Sequence, residues 1–260
     1  MSCFLFGYLG LNGQEKLEIE GAIKIGNSEE VFPGPGTIQW TGSDFQVWNG
    51  YMWVSMLSGI AYTGEVTDVE GNVYPTIVIG DQEWMAENLR TGKYRNGNSI
   101  PQIQGNTDWS NAVAGAWCWY DNNSVYDRPF GKLYNWYAVN DGRGLCPIGW
   151  DIPTNAEWTA LTDFLGGLDN AGGPMKESGS AHWNSPNTGA TNASGFTGLP
   201  GGGRVSLSSF SNLGNFGYLW SNTFESSSNA WFRFLSFSTD RIDLGNLDKW
   251  FGFSVRCIKD

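Results

Sequence analysis

The clearest helix in the chain is PTNAEWTALTDFLGG, from Pro153 to Gly167. Thr154 and Glu157 stand at the spacing of a capping box, each placed to satisfy the other's free backbone donor. Trp158, Leu161, Phe164 and Leu165 give an apolar stripe at helical spacing. Gly166 and Gly167 then end it, because glycine accepts the left-handed conformation at a helix C-terminus. One short helix of this quality in 260 residues leaves most of the chain to strands and turns. Composition agrees. Charged residues make up 16%, below the usual quarter, while Gly (36) and Trp (14) are abundant. Both facts point away from long helices and coiled coils and toward a turn-rich protein containing sheet.

The first sixty residues read as short strands. EKLEIEGAIKIG alternates Leu17, Ile19, Ile23 and Ile25 with Glu18, Glu20 and Lys24. GTIQWTGSDFQVWNGYMWVSM carries the turn signals TGSD and WNGY between aromatic-rich runs, which predicts a three-stranded meander. Its core is small, so it either packs against copies of itself or docks on the rest of the chain. LSGIAYTGE, Leu57 to Glu65, reads as a linker. The expected domains are therefore 1–60, a β-rich module, and 66–260, a larger unit. Within the latter, NVYPTIVIG is a strand, QEWMAENLR a short helix or turn, and GKLYNWYAV another short helix. From Gly172 to about Asn215 the chain reads as long loops, with GLPGGGR a tight bend. YLWSN, AWFRFLSF and FSVRCIK are three closing strands.

Several function classes look remote. A net charge of −11 gives no attraction to phosphates, so no nucleic-acid partner is expected. No apolar run approaches the ~18–20 residues that span a bilayer, so no membrane insertion is expected. The start, MSCFLFGYLG, lacks the basic region of a secretion signal. Cys3, Cys118, Cys146 and Cys257 contain no CxxC, and His182 is the only histidine, which argues against a zinc site. No EF-hand loop occurs, although Asp, Asn and backbone oxygens leave room for a structural calcium ion whose ligands the sequence does not place. His182 lies in SAHWNSP with no HExxH or nucleophile elbow near it. WFRFLSFS, Trp231 to Ser238, poses a different problem. As a strand it puts aromatics on both faces, so either both faces are buried or one displays its rings.

GKLYNWYAVN, LCPIGWDIPTNAEWTALTDFLGG, HWNSPNTGATNASGFTGLPGGGR and GFSVRCIKD together resemble the Fibrobacter succinogenes major paralogous domain, over roughly Val66 to Asp260. The resemblance implies an α+β fold: a C-type-lectin-like domain of the formylglycine-generating-enzyme branch. Two helices would flank small antiparallel sheets, with long loops over one end. It also implies a disulfide between Cys146 and Cys257, against the alternative of two free buried thiols. Cys118, between two tryptophans, reads as a buried free thiol. KLEIEGAIKIGN and PGTIQWTGSDFQVWNGYMWVSM resemble the modules that join shafts to tips in phage tail fibres and some bacterial adhesins. Such modules are often trimeric, which implies a homotrimer.

Three functions follow from these resemblances. Formylglycine-generating enzymes use two cysteines near the end of the domain, usually with copper, but only Cys257 lies in the last hundred residues here. Calcium-dependent sugar lectins use EPN or QPD followed by WND. Neither tripeptide occurs, and WSN at Trp220 to Asn222 is a faint echo. Variable proteins of diversity-generating retroelements instead scatter side chains over their last strands. Trp220, Ala230, Trp231, Arg233 and Leu235 fit that framework. Phe224, Phe232, Phe234, Phe237, Asp243, Leu244, Asn246, Leu247, Trp250 and Phe251 stand at the positions expected to vary and bind ligand. The expected function is thus a non-enzymatic binding protein without a cofactor, on a phage tail tip, recognising a bacterial cell-surface protein or glycan receptor. A bacterial surface adhesin is the alternative, and an enzyme the third reading.

Overall fold

The computed structural model describes residues 38–40, 45–48, 53–55, 63–205 and 209–260. The chain divides into two compact units, Met1–Val54 and Ser55–Asp260. Three short strands, β1 (Ile38–Trp40), β2 (Phe45–Trp48) and β3 (Trp53–Ser55), form a sheet in that order. β1 and β2 are antiparallel, with Trp40 opposite Phe45. The turn signals fall between these strands, as the meander reading requires. EKLEIEGAIKIG lies outside the described residues. So does most of the expected linker, and its last residues, Gly64 and Glu65, already belong to a strand.

The larger unit is α+β and mostly strand. In chain order it carries β4 (Gly64–Thr67), β5 (Val73–Ile79), β6 (Gln82–Met85), α1 (Asn106–Ser110) and β7 (Trp117–Cys118). Next come α2 (Asp127–Phe130), β8 (Leu133–Tyr134), α3 (Trp136–Val139), β9 (Trp150–Asp151), α4 (Asn155–Phe164) and α5 (Leu168–Met175). Six strands follow: β10 (Gly201–Arg204), β11 (Phe210–Leu213), β12 (Phe216–Phe224), β13 (Asn229–Ser236), β14 (Ile242–Asp248) and β15 (Ile258–Lys259). Two five-stranded sheets result, in the orders β4-β5-β6-β15-β9 and β11-β10-β12-β13-β14.

Helix α4 forms where the sequence places it. The Thr154 hydroxyl accepts from the Glu157 N–H, and the Glu157 carboxylate accepts from the Thr154 N–H, which completes the capping box. Trp158 and Leu161 are buried beneath it. Other elements differ from the sequence reading. Gln82–Met85 of QEWMAENLR is a strand, because Trp84 pairs with Ile77 on one side and Ile258 on the other. GKLYNWYAV splits into β8 and α3 at Asn135, whose side chain accepts from the Ala138 N–H and caps the helix. Helix α5 begins just before the Gly172–Asn215 segment read as loop and runs into it. Glycine is what lets it pack: a Cβ at Gly172 would lie 2.1 Å from the Arg241 carbonyl oxygen. GGGR of GLPGGGR is strand β10, fully buried, rather than a bend.

The core has two large parts, one on each face of β12–β13, and a smaller third around Trp109, Ala116, Cys118 and Leu133. Trp220, Phe232, Tyr134, Trp136 and Phe253 belong to the first. Leu219, Leu235, Ile242, Trp84, Trp158, Trp183 and Phe196 belong to the second. Cys146 and Cys257 form a disulfide with Cα atoms 6.0 Å apart and a sequence separation of 111. Cys118 is buried with a free thiol, which burial pushes up to about 12.

Candidate functional site

Side chains alternate between the two faces of β13, and each face meets a different core. Phe232 points toward Trp220 (ring centroids 6.2 Å apart) and Phe253 (4.9 Å). Directly across on β14 stands Gly245, where a Cβ would come within 2.8 Å of the Phe232 ring. Phe232 is only 5% exposed and Phe251 only 8%. Both are core residues, which corrects the expectation that they are displayed. Arg233 is buried on the opposite face and donates to Asn155 Oδ1 at 3.1 Å; burial lowers its pKa. Leu235 lies in the second core, with Phe237 packed at its margin. WFRFLSFS carries apolar side chains on both faces because both are covered at Phe232, Arg233 and Leu235, while Trp231, Phe234 and Phe237 stay half-buried.

The remaining expected residues separate. Opposite residues in an antiparallel pair share a face. Asp243 stands opposite Phe234 and Leu247 opposite Ala230, so these join the aromatic face. Leu244 stands opposite Arg233 and Asn246 opposite Trp231, which puts them on the other face, exposed. Phe224, at the end of β12, is 64% exposed with the Lys249 ammonium 5.8 Å from its ring centroid. Lys249 also lies 4.7 Å from the Trp136 centroid and donates to the carbonyls of Ser226 and Ser227. Trp250 is half-buried. Its carbonyl accepts from Trp109 Nε1 at 2.6 Å, and its ring packs 4.4 Å from Phe251. The ten residues therefore do not form one patch.

What the fold does bring together is a half-buried aromatic cluster. Phe216 stacks on Tyr218 with centroids 5.6 Å apart, and Phe234 lies 6.0 Å from Phe216 and 6.1 Å from Tyr218. Tyr218 also stacks on buried Phe253 at 4.7 Å, which anchors the cluster to the core. Asn212 donates to the Tyr218 hydroxyl at 2.9 Å, and burial raises that hydroxyl's pKa. The sequence reading missed Phe216 and Tyr218. The alternation Phe216, Tyr218, Trp220 on one side of a strand was the available signal.

Two polar features lie elsewhere. Arg95, Asn140, Asp141, Asp151 and Asn222 help line an open cleft of about 280 Å³. Arg143 hydrogen-bonds Asp141 and holds its carboxyl down at about 2. His182 Nδ1 lies 2.8 Å from Glu177 Oε1, with the ring edge-on to Phe130. Burial pushes this imidazole down, but the Glu177 carboxylate outweighs it and the net shift is upward. Among the described residues, no group of three or more His, Cys, Asp or Glu side chains is arranged to hold a metal ion.

The family model described as the Fibrobacter succinogenes major domain matches residues 77–259. The chain belongs to this family. The Fibrobacter succinogenes major domain thus runs here from inside β5 to β15 and includes the aromatic cluster, whereas β1–β3 lie outside it. Comparison with curated proteins and with solved structures gives no match.

Proposed function

We propose that this chain is a non-enzymatic ligand- or receptor-binding protein whose contact surface centres on Phe216, Tyr218 and Phe234. The observation that carries the reading is that these three rings form one contiguous cluster, half in the core and half out of it. Aromatic side chains give large contact area at low entropic cost and dominate interface hot spots. Asn212 and Asp243 supply polar groups at the margin. Within this reading the larger unit is a C-type-lectin-like domain diversified by a retroelement. The 1–60 module attaches it, as a homotrimer, to a phage tail tip, and the receptor is a bacterial cell-surface protein or glycan. A bacterial surface adhesin or lectin-like protein is the alternative. An enzyme of the formylglycine-generating kind is disfavoured because the Cys257 sulfur is committed to Cys146.

The test compares the wild type with the combined variant Phe216→Ser, Tyr218→Ser, Phe234→Ser on a panel of intact bacterial strains, with circular dichroism to confirm folding. Each buried hot-spot ring is worth upward of about 2 kcal/mol, so binding should fall at least about thirtyfold. Undiminished binding by a folded triple variant would remove the reading.

A further inference from the structure

We propose that the outer edge of β14 binds an extended, basic segment of a partner protein by strand addition. β14 is the last strand of its sheet. The Lys249 N–H donates to the Ser228 carbonyl across the start of the β13–β14 ladder (2.9 Å), so Ser228 and Lys249 are a hydrogen-bonded pair. Such pairs alternate along an antiparallel ladder. Asp243, Gly245 and Leu247 therefore direct their N–H and C=O groups at β13, and Leu244, Asn246 and Asp248 direct theirs outward. Two bonds confirm this parity: the Asp248 carbonyl accepts from the Phe251 N–H, and the Asp240 carbonyl from Gly173 of α5.

α5 thus covers the beginning of the edge, and the turn to Phe251 covers its end. Between them, among the described residues, no hydrogen bond reaches the backbone groups of Leu244 or Asn246. Natural edge strands are blunted by proline, charged side chains, bulges or extreme shortness; the charges on β14, Asp243 and Asp248, are both acidic and so deter an acidic strand rather than a basic one. β14 has seven residues, no proline or lysine, and an unbroken register against β13. Leu244, 43% exposed, flanks the open segment on one face, and Asp243 on the other.

Charge selects the occupant. Asp243 and Asp248 bracket the open segment, and Arg241, the cation before it, is shared between Asp169 and Asp243, so that group of three keeps a net negative charge. A second copy fits poorly. Antiparallel self-pairing about Gly245 would set Arg241 opposite Lys249, between chains each carrying −11. A foreign strand with basic residues on the Asp243 face and apolar residues on the Leu244 face, as in alternating Lys and Val, meets both conditions.

The proposal shares Asp243 with the margin of the aromatic face but none of its rings, which the triple variant tests separately. The full chain is mixed with a labelled peptide of alternating Lys and Val, with its Glu–Val counterpart, and with chitohexaose. The Lys–Val peptide should bind, and amide exchange at Leu244 and Asn246 should slow at least about tenfold. Asn246→Pro removes one outward donor without touching the inner ladder, and it should weaken binding about tenfold with the fold retained. Absence of Lys–Val binding, equal binding of the Glu–Val peptide, or binding of chitohexaose alone overturns the proposal. So does Lys–Val binding with unchanged exchange at those two amides, a measurement on the wild type that holds even if the proline variant unfolds.

Discussion

The two five-stranded sheets of the larger unit are built differently. In β4-β5-β6-β15-β9 the strand nearest the end of the sequence is enclosed: Ile258 pairs with Trp84 on one side and Asp151 on the other. The residue before it, Cys257, is tied to Cys146. In β11-β10-β12-β13-β14 the last strand is open, and its neighbours carry the half-buried rings. One sheet is locked by covalent and long-range pairing, and the other is free to present side chains and an edge. Under the proposed function, the covalently tied sheet is the support and the other carries the contact surface.

The disulfide offers the most severe way to break this contrast. The double variant Cys146→Ala, Cys257→Ala should lose about 4–5 kcal/mol in the chain-entropy treatment of a loop this long. Urea titration would read it, and a loss under about 1 kcal/mol would show the locked sheet does not depend on the bond. Next in size is a pair of neighbours on one strand face. Phe232→Ala should cost about 3–5 kcal/mol as a core truncation, and Phe234→Ala clearly less, because part of its ring is already in water. Equal costs would mean Phe234 is as much core as Phe232 and would weaken the proposed surface.

A smaller effect concerns α4, which packs near the locked sheet through Trp158 and Trp84. Thr154→Ala removes half of the capping box and should cost about 1 kcal/mol. Smallest is the His182–Glu177 pair. Its folded-state pKa is raised above 6.5, so it stabilises fully below that value and the contribution fades as pH rises through the folded pKa. The melting-temperature gap between wild type and His182→Gln should therefore be widest near about pH 6 and close toward alkaline pH. A gap that widens with pH would reverse the assignment.

How much of this was legible depended on how local each cause was. Helix α4 could be read because its cap, stripe and stop all lie within the same few residues. The β1–β3 meander could be read from its turns. Strand β6 could not, since Trp84 is fixed by partners at Ile77 and Ile258 that no local window contains. Helix α5 was hidden by glycines whose purpose, the approach of Gly172 to the Arg241 carbonyl and of Gly173 to the Gly189 carbonyl, appears only in three dimensions. The candidate surface was half legible. The aromatic richness of the last strands is plain in sequence, but which rings are core depends on Gly245 lying opposite Phe232 and on Phe253 beneath it.

The enclosed strand also orders events during synthesis. Strands β4, β5, β6 and β9 are all translated well before Ile258, yet the gap between β6 and β9 is filled only by that residue and its neighbour. Until Ile258 and Lys259 have been made, β9 has no strand to join it to β4, β5 and β6, and Cys146 lacks its partner. Closure of this sheet therefore waits for β15, which is made long after the strands it joins.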